Sequence, residues 1–221
     1  MLGALYLFWY GIQYGAMRAW TLLLPLLLTA CGDTLWSGLH KGQPLGDRPA
    51  LEDLPEPDGP ALRLWLNGRP TAAMLLQALG ERRIWRTAAG QVVATEGGRV
   101  TATAGFRHYV AATHFDGPDP LARPAELLDR PAAARRLVDL KDPDGEPGGM
   151  RFGLALDCRL RAEPTEDAGT LLVRERCRSA DRGGFTNLFW VEAEGGAVLR
   201  AEQWIGPSLP MLVMEFLSPA S

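Results

Sequence analysis

Short runs of alternating apolar and polar residues dominate the chain after Pro60. The first run, ALRLWLNG, alternates leucine with polar or aromatic residues and ends in Asn-Gly, a typical hairpin turn. Turn signals recur roughly every 8–12 residues, a spacing typical of antiparallel sheets. The later runs are RRIWRTAAGQVVATEGGRVTATAGF, FGLALDCRL, TLLVRERC, NLFWVEAE, AVLRAEQWI and PMLVMEFL. The pattern therefore predicts an all-β fold, an antiparallel meander that is either barrel-like or a sandwich.

Three segments within this region carry other signals. Residues 124–140 begin with a proline and are rich in Ala, Leu and Arg, which predicts one short helix. Glu194-Gly195-Gly196 is typical of a hairpin tip that joins two strands. The segment KDPDGEPGG, residues 141–149, is typical of a loop.

The amino-terminal part of the chain has the pattern of a secretion signal. The apolar run at residues 19–30 is too short to cross a bilayer, which needs roughly 20 apolar residues, but it suits a signal-peptide core. Arg18 supplies the positive charge in front of it if translation starts at Met17, and residues 1–16 carry no charge. The alternative, an uncleaved anchor over residues 1–30, would place Arg18 in lipid at a cost of about 2.5 kcal/mol or more.

The signal ends in Leu-Thr-Ala-Cys, which resembles the bacterial lipobox. Small residues before Cys31 suit cleavage by a signal peptidase, and the thiol of this cysteine would take a diacylglycerol. Several acyl chains make an essentially permanent membrane anchor. Gly32 follows in place of an aspartate, which favours the outer membrane, on its periplasmic face. We therefore predict a signal peptide over residues 1–30, a lipidated Pro/Gly-rich tether over 31–60 and a β domain over 61–221.

Composition narrows the partners of this domain. The 221 residues are 47% hydrophobic and 22% charged, with a net charge of −3 and no basic tract. A weakly acidic chain of this kind lacks the positive surface that nucleic-acid binding requires, so we expect no nucleic-acid partner.

Two cysteines remain once Cys31 is lipidated. An even number of cysteines in an exported protein predicts a disulfide, here between Cys158 and Cys177. Each lies in a strand-like run, and turn signals separate them, so a hairpin could bring them face to face. A redox pair is the alternative, but the C-x-x-C spacing is missing.

The chain shows no motif for catalysis. Its three histidines, His40, His108 and His114, lack metal-ligand spacing, and no G-x-S-x-G sequence is present. We expect no catalytic residues, no metal site and no cofactor. Five tryptophans follow Cys31, and exposed indoles would suit a sugar partner, whereas packing in the core of a β domain is the alternative. These are Trp36, Trp65, Trp85, Trp190 and Trp204.

Four stretches carry a family resemblance: the lipobox at Cys31, GGRVTATAGF, DPL at residues 119–121 and NLFWVEAEGGAVLRAEQWIGP. Together they resemble the YjbF/GfcB family of bacterial lipoproteins, which is associated with exopolysaccharide and group 4 capsule production. The resemblance implies an all-β, barrel-like domain without established catalysis. It also makes five motif residues candidates for facing a glycan: Arg99, Asn187, Trp190, Gln203 and Trp204.

Two functions follow from these signals. The first is an outer-membrane lipoprotein that assists secretion or assembly of an extracellular polysaccharide by binding, with polysaccharide export proteins as possible partners. The second is a structural, protein-binding module of an envelope complex that does not contact glycan. A glycan-modifying enzyme would need a cleft with convergent carboxylates, which the sequence alone does not reveal.

Overall fold

Alternating patterns produce strands along almost the whole described chain. The structure is a computed structural model, and it describes residues 59–66, 68–141, 149–180 and 183–217. Twelve antiparallel strands form one sheet. They are β1 (Ala61–Leu66), β2 (Arg69–Leu79), β3 (Arg82–Thr87), β4 (Val92–Glu96), β5 (Arg99–Ala104), β6 (Tyr109–Asp116), β7 (Ala132–Lys141), β8 (Met150–Pro164), β9 (Thr170–Ser179), β10 (Gly183–Glu192), β11 (Val198–Gln203) and β12 (Leu212–Phe216).

The order of the strands makes a nearly closed barrel. It runs β5-β4-β3-β2-β1-β12-β11-β10-β9-β8-β7-β6, so the two end strands, β5 and β6, are consecutive in the chain. Among the described residues no ladder joins these two strands. Near their connecting turn, the backbone N–H of Val110 donates to Thr103 Oγ1 at 3.0 Å and holds them together. The barrel-like alternative is confirmed, and the barrel has a seam between β5 and β6.

Side chains of alternate residues fill the interior. Leu62 and Leu64 of β1, Val173 of β9 and Phe189 of β10 have no exposed surface. Each fully buried side chain of this size contributes about 1.5–3 kcal/mol. The predicted hairpin at residues 194–196 is confirmed, because it connects β10 to β11.

The helix predicted for residues 124–140 is wrong over most of its length. A 3₁₀ turn covers Pro120–Ala122 and one short helix, α1, covers Glu126–Asp129, but Ala132–Lys141 is strand β7. Pro131 follows α1 and cannot donate the backbone bond that a continuing helix needs. Beyond it, Val138 and Leu140 alternate inward while β6 and β8 pair with both edges, and this pairing outweighs the helix propensity of Ala and Arg.

Other predicted segments lie partly outside the described residues. The signal peptide, the tether up to residue 58 and most of the loop at 141–149 belong to this group. Within the described ranges, no helix is both long and apolar enough to span a membrane.

Candidate functional site

A charged network occupies the barrel interior around Arg99, the first residue of β5. Its guanidinium donates from Nε to Asp119 at 2.5 Å and from Nη2 to the other oxygen of Asp119 at 3.1 Å. Nη1 donates to Glu175 of β9 at 2.9 Å. Arg99 and Glu175 are 1% and 0% exposed, so this is a buried ion pair. Because Asp119 lies just after β6, Arg99 also connects the two strands of the seam.

Glu175 is the centre of the network. Its Oε2 accepts from Asn187 of β10 at 2.5 Å and lies 3.6 Å from the guanidinium of Arg136, which β7 supplies. Burial alone would raise the pKa of Glu175. Attraction to Arg99 and Arg136 and the bond from Asn187 outweigh burial, so the pKa stays below its ordinary value and the side chain is a carboxylate.

The two arginines differ in their surroundings. Burial opposes the charge of Arg99, but Glu175 and Asp119 outweigh it and raise the pKa of Arg99. For Arg136, burial prevails over attraction to Glu175, and its pKa is lowered. Two arginines and two carboxylates balance in charge, which is the condition under which charged groups persist in a barrel core.

Aromatic rings complete the surroundings of Arg99. The carbon of its guanidinium lies 4.8 Å from the centre of the Phe189 ring and 5.0 Å from that of Phe115. At these distances the ring faces attract the cation. The guanidinium is therefore fixed from several sides.

Two buried amide side chains join separate parts of the barrel, and one of them, Gln203, holds β5 against β11. Gln203 of β11 accepts from the backbone N–H of Val100 and donates to the carbonyl of Gly98, both at 2.9 Å. Asn187 accepts from the backbone N–H of Trp204 at 2.8 Å while it donates to Glu175. Buried amides thus form hydrogen bonds with backbone N–H and C=O groups that the sheet ladders leave unpaired.

The disulfide between Cys158 and Cys177 is confirmed. These residues lie directly opposite each other on β8 and β9. The Sγ of Cys177 lies 3.8 Å from Arg136 Nη2, so the disulfide borders the charged network. Both sulfurs and a carboxylate oxygen of Glu175 lie within 4.8 Å of one another. Sulfurs in a disulfide are not thiolates, so this group is not a metal-ligand set while the bond is intact.

A cavity of about 810 Å³ opens above the network, where β5 and β6 move apart. Arg99 and Thr101 line it from β5, and Thr113 and Phe115 from β6. Its rim consists of strand ends and turns at this end of the barrel. They contribute Glu81, Glu96, Gly97, Gly117, Asp119, Glu192, Gly195 and Gly196.

The structure brings together three of the five candidate motif residues. Arg99, Asn187 and Gln203 are 1–2% exposed and belong to the interior network; only Arg99 also lines the cavity. Trp190 is 1% exposed beneath the Arg200 guanidinium, 5.0 Å from the ring centre. We expected Asn187, Gln203 and Trp190 to be candidates for facing a glycan. The structure does not place them there, because each side chain is enclosed by protein. Trp204 is half-buried and stacks on Phe185 at 4.6 Å.

Sequence reasoning missed three members of the network as site residues: Asp119, which it noted only within the DPL stretch, Glu175 and Arg136. The latter two lie within strands. A signal was present in the alternation of each strand. Glu175 shares its face of β9 with Val173 and Cys177, both buried. Arg136 shares its face of β7 with Val138. A single charge within an apolar row of a strand indicates a buried ion pair.

The fold and this site define a class of protein, a small antiparallel barrel with a charge-balanced interior and an open cavity at its seam. Residues 32–217 match the family described as "Group 4 capsule polysaccharide lipoprotein gfcB, YjbF". This match covers most of the sequence, and the chain belongs to the YjbF/GfcB family.

The same fold is found in a solved structure. It is the hypothetical lipoprotein YmcC from Escherichia coli K12, with a TM-score of 0.60 and 21% sequence identity. The similarity covers 72% of this chain and 87% of that one. No curated protein matches the sequence.

Proposed function

We propose that the protein is an outer-membrane lipoprotein on the periplasmic face that assists secretion or assembly of an extracellular polysaccharide by binding it. The observation that carries this proposal is the match of residues 32–217 to a family of capsule polysaccharide lipoproteins. The cavity at the seam gives the domain a place for a ligand, since cavities of roughly 300–1,000 Å³ are typical of binding sites.

The location rests on Cys31, which lies outside the described residues. The matched region starts directly after it, at residue 32, as expected for a mature chain that begins with a lipidated cysteine. A Cys31→Ala variant should leave the membrane fraction, because the acyl chains provide the attachment. Separation of inner and outer membranes on a density gradient then tests which membrane holds the unchanged protein.

The role in polysaccharide production is tested by deleting the gene and restoring it on a plasmid. We expect the amount or chain-length distribution of extracellular polysaccharide to change and the plasmid to restore it. If both quantities stay the same after deletion, the proposal is wrong. The partners that suit this role are the polysaccharide itself and polysaccharide export proteins.

A second candidate function is a protein-binding module that does not contact glycan. Strand β2 favours it, because Met74, Leu76 and Leu79 are 40%, 61% and 56% exposed. Neighbouring exposed apolar side chains of this kind suit a protein surface. Calorimetric titration of the protein with polysaccharide from its own host separates the two functions, since only the first predicts binding.

A further inference from the structure

The cavity at the seam differs from the closed parts of the barrel in what its walls offer a ligand. Wall residues Thr101 and Thr113 carry hydroxyls, and Phe115 presents an aromatic ring. At the floor, three of the five N–H groups of Arg99 donate to Asp119 and Glu175. The cavity therefore combines hydrogen-bonding groups and an apolar face in one concave surface.

Charge restricts what this surface can accept. The lining carries four carboxylates, from Glu81, Glu96, Asp119 and Glu192. Two of them are paired, Asp119 with Arg99 and Glu96 with Arg82, which leaves Glu81 and Glu192. Arg99 is already paired with Asp119 and with Glu175 below it. The lining therefore has a negative excess, and a carboxylate or phosphate entering it would be repelled.

Carboxylates are also strong hydrogen-bond acceptors. A ligand rich in hydroxyl groups can donate to them, and its ring oxygens can accept from the hydroxyl of Thr113. The hydroxyl of Thr101 donates to the carbonyl of Ala94, so towards a ligand it acts as an acceptor. A sugar without a charge meets both conditions, and the apolar face of its ring can lie against Phe115.

We propose that this cavity binds an uncharged, hydroxyl-rich saccharide segment of the polysaccharide. The inference rests on the proposed function, since it names the site and the ligand class for that binding. The glycan enters between β5 and β6, above the Arg99–Asp119 pair that connects them.

The test uses the full-length lipoprotein in detergent and fragments of the polysaccharide made by its host. One portion of the fragments is carboxyl-reduced, so that every sugar is neutral. Another portion of this material is oxidised at its primary hydroxyls to carboxylates. Isothermal titration should show the neutral fragments binding at least tenfold more tightly than the oxidised ones. Equal or tighter binding of the oxidised form would overturn the proposal.

Two pairs of variants locate the binding. Ala122 lines the cavity, so Ala122→Trp should weaken binding of the neutral fragments at least tenfold. Ala125→Trp, an exposed position outside the cavity in the same connection, should bind like the unchanged protein. Glu192→Gln removes one lining charge and should reduce the difference in affinity between neutral and oxidised fragments. Glu166→Gln, at an exposed position that does not line the cavity, should leave that difference unchanged.

The outcomes separate this inference from the proposed function. Wild-type affinity in a folded Ala122→Trp variant overturns the site but leaves the function standing. If Ala122→Trp does not fold, the Glu192→Gln comparison decides, and an unchanged preference overturns the inference. If no fragment binds while gene deletion still alters polysaccharide output, binding itself is wrong and the protein-binding module is favoured.

Discussion

Replacing Glu175 by glutamine removes the central charge of the interior network at nearly constant volume. Arg99 and Arg136 then share one remaining carboxylate, Asp119, which lies 2.5 Å from Arg99. Since Glu175 and both arginines are at most 4% exposed, solvent compensates the freed positive charge poorly. Breaking a buried pair by removing one partner costs about 3–5 kcal/mol.

This loss can be measured by urea unfolding and by thermal unfolding, both followed by tryptophan fluorescence with the disulfide intact. In a domain of this size, each kcal/mol lowers the melting temperature by about 2–4 °C, so a fall of roughly 6–20 °C is expected. The matched control is Glu163→Gln, which breaks the more exposed pair with Arg174 and should cost at most about 1 kcal/mol. If Glu175→Gln costs no more than this control, the network does not stabilise the fold as argued.

The same residue predicts a pH dependence. The pKa of Glu175 is lowered in the folded protein from an ordinary value of 4.5. Its contribution to stability is therefore present above about pH 4.5 and is lost as the pH falls through the lower, folded-state pKa. The stability difference between the unchanged protein and Glu175→Gln should shrink between pH 5 and pH 2.5. A difference that stays constant over this range would contradict the assignment.

Two further predictions concern structure around the network. Replacing Cys158 and Cys177 together by alanine removes a bond across 19 positions of sequence and should cost roughly 3 kcal/mol, measured by urea unfolding. Gly98→Ala should cost about 2 kcal/mol or more, because its φ is +79° and the new Cβ would lie 2.4 Å from Cβ of Val198. Gly169 also has a positive φ, +85°, but has open space around it, so Gly169→Ala introduces backbone strain without a steric clash. Equal losses of stability in Gly98→Ala and Gly169→Ala would show that the contact with Val198 does not contribute.

How far the sequence predicts this protein depends on the range of the interactions. Alternation within the single runs identified most strands, and the even cysteine pair identified the disulfide, because both signals are local. Strand β2 has no alternating pattern, because apolar residues such as Leu75, Leu76 and Leu79 do not alternate and several are exposed.

The candidate site is less accessible to sequence reasoning. Arg99 and Glu175 are separated by 76 positions, and only the closing of the barrel shows that each neutralises the other. The family resemblance selected Arg99, Asn187 and Gln203, but it could not show that all three side chains are enclosed within the barrel. The cavity also arises from the separation of β5 and β6, which no local pattern records.

The central claim is that the protein supports polysaccharide production through binding in the cavity at the seam. The most direct measurement is the amount of extracellular polysaccharide from cells in which Ala122→Trp or Ala125→Trp replaces the chromosomal copy, with protein levels checked by immunoblot. We predict that Ala122→Trp lowers output towards that of the deletion strain while Ala125→Trp matches the unchanged strain. Normal output from a stably produced Ala122→Trp protein would contradict the account.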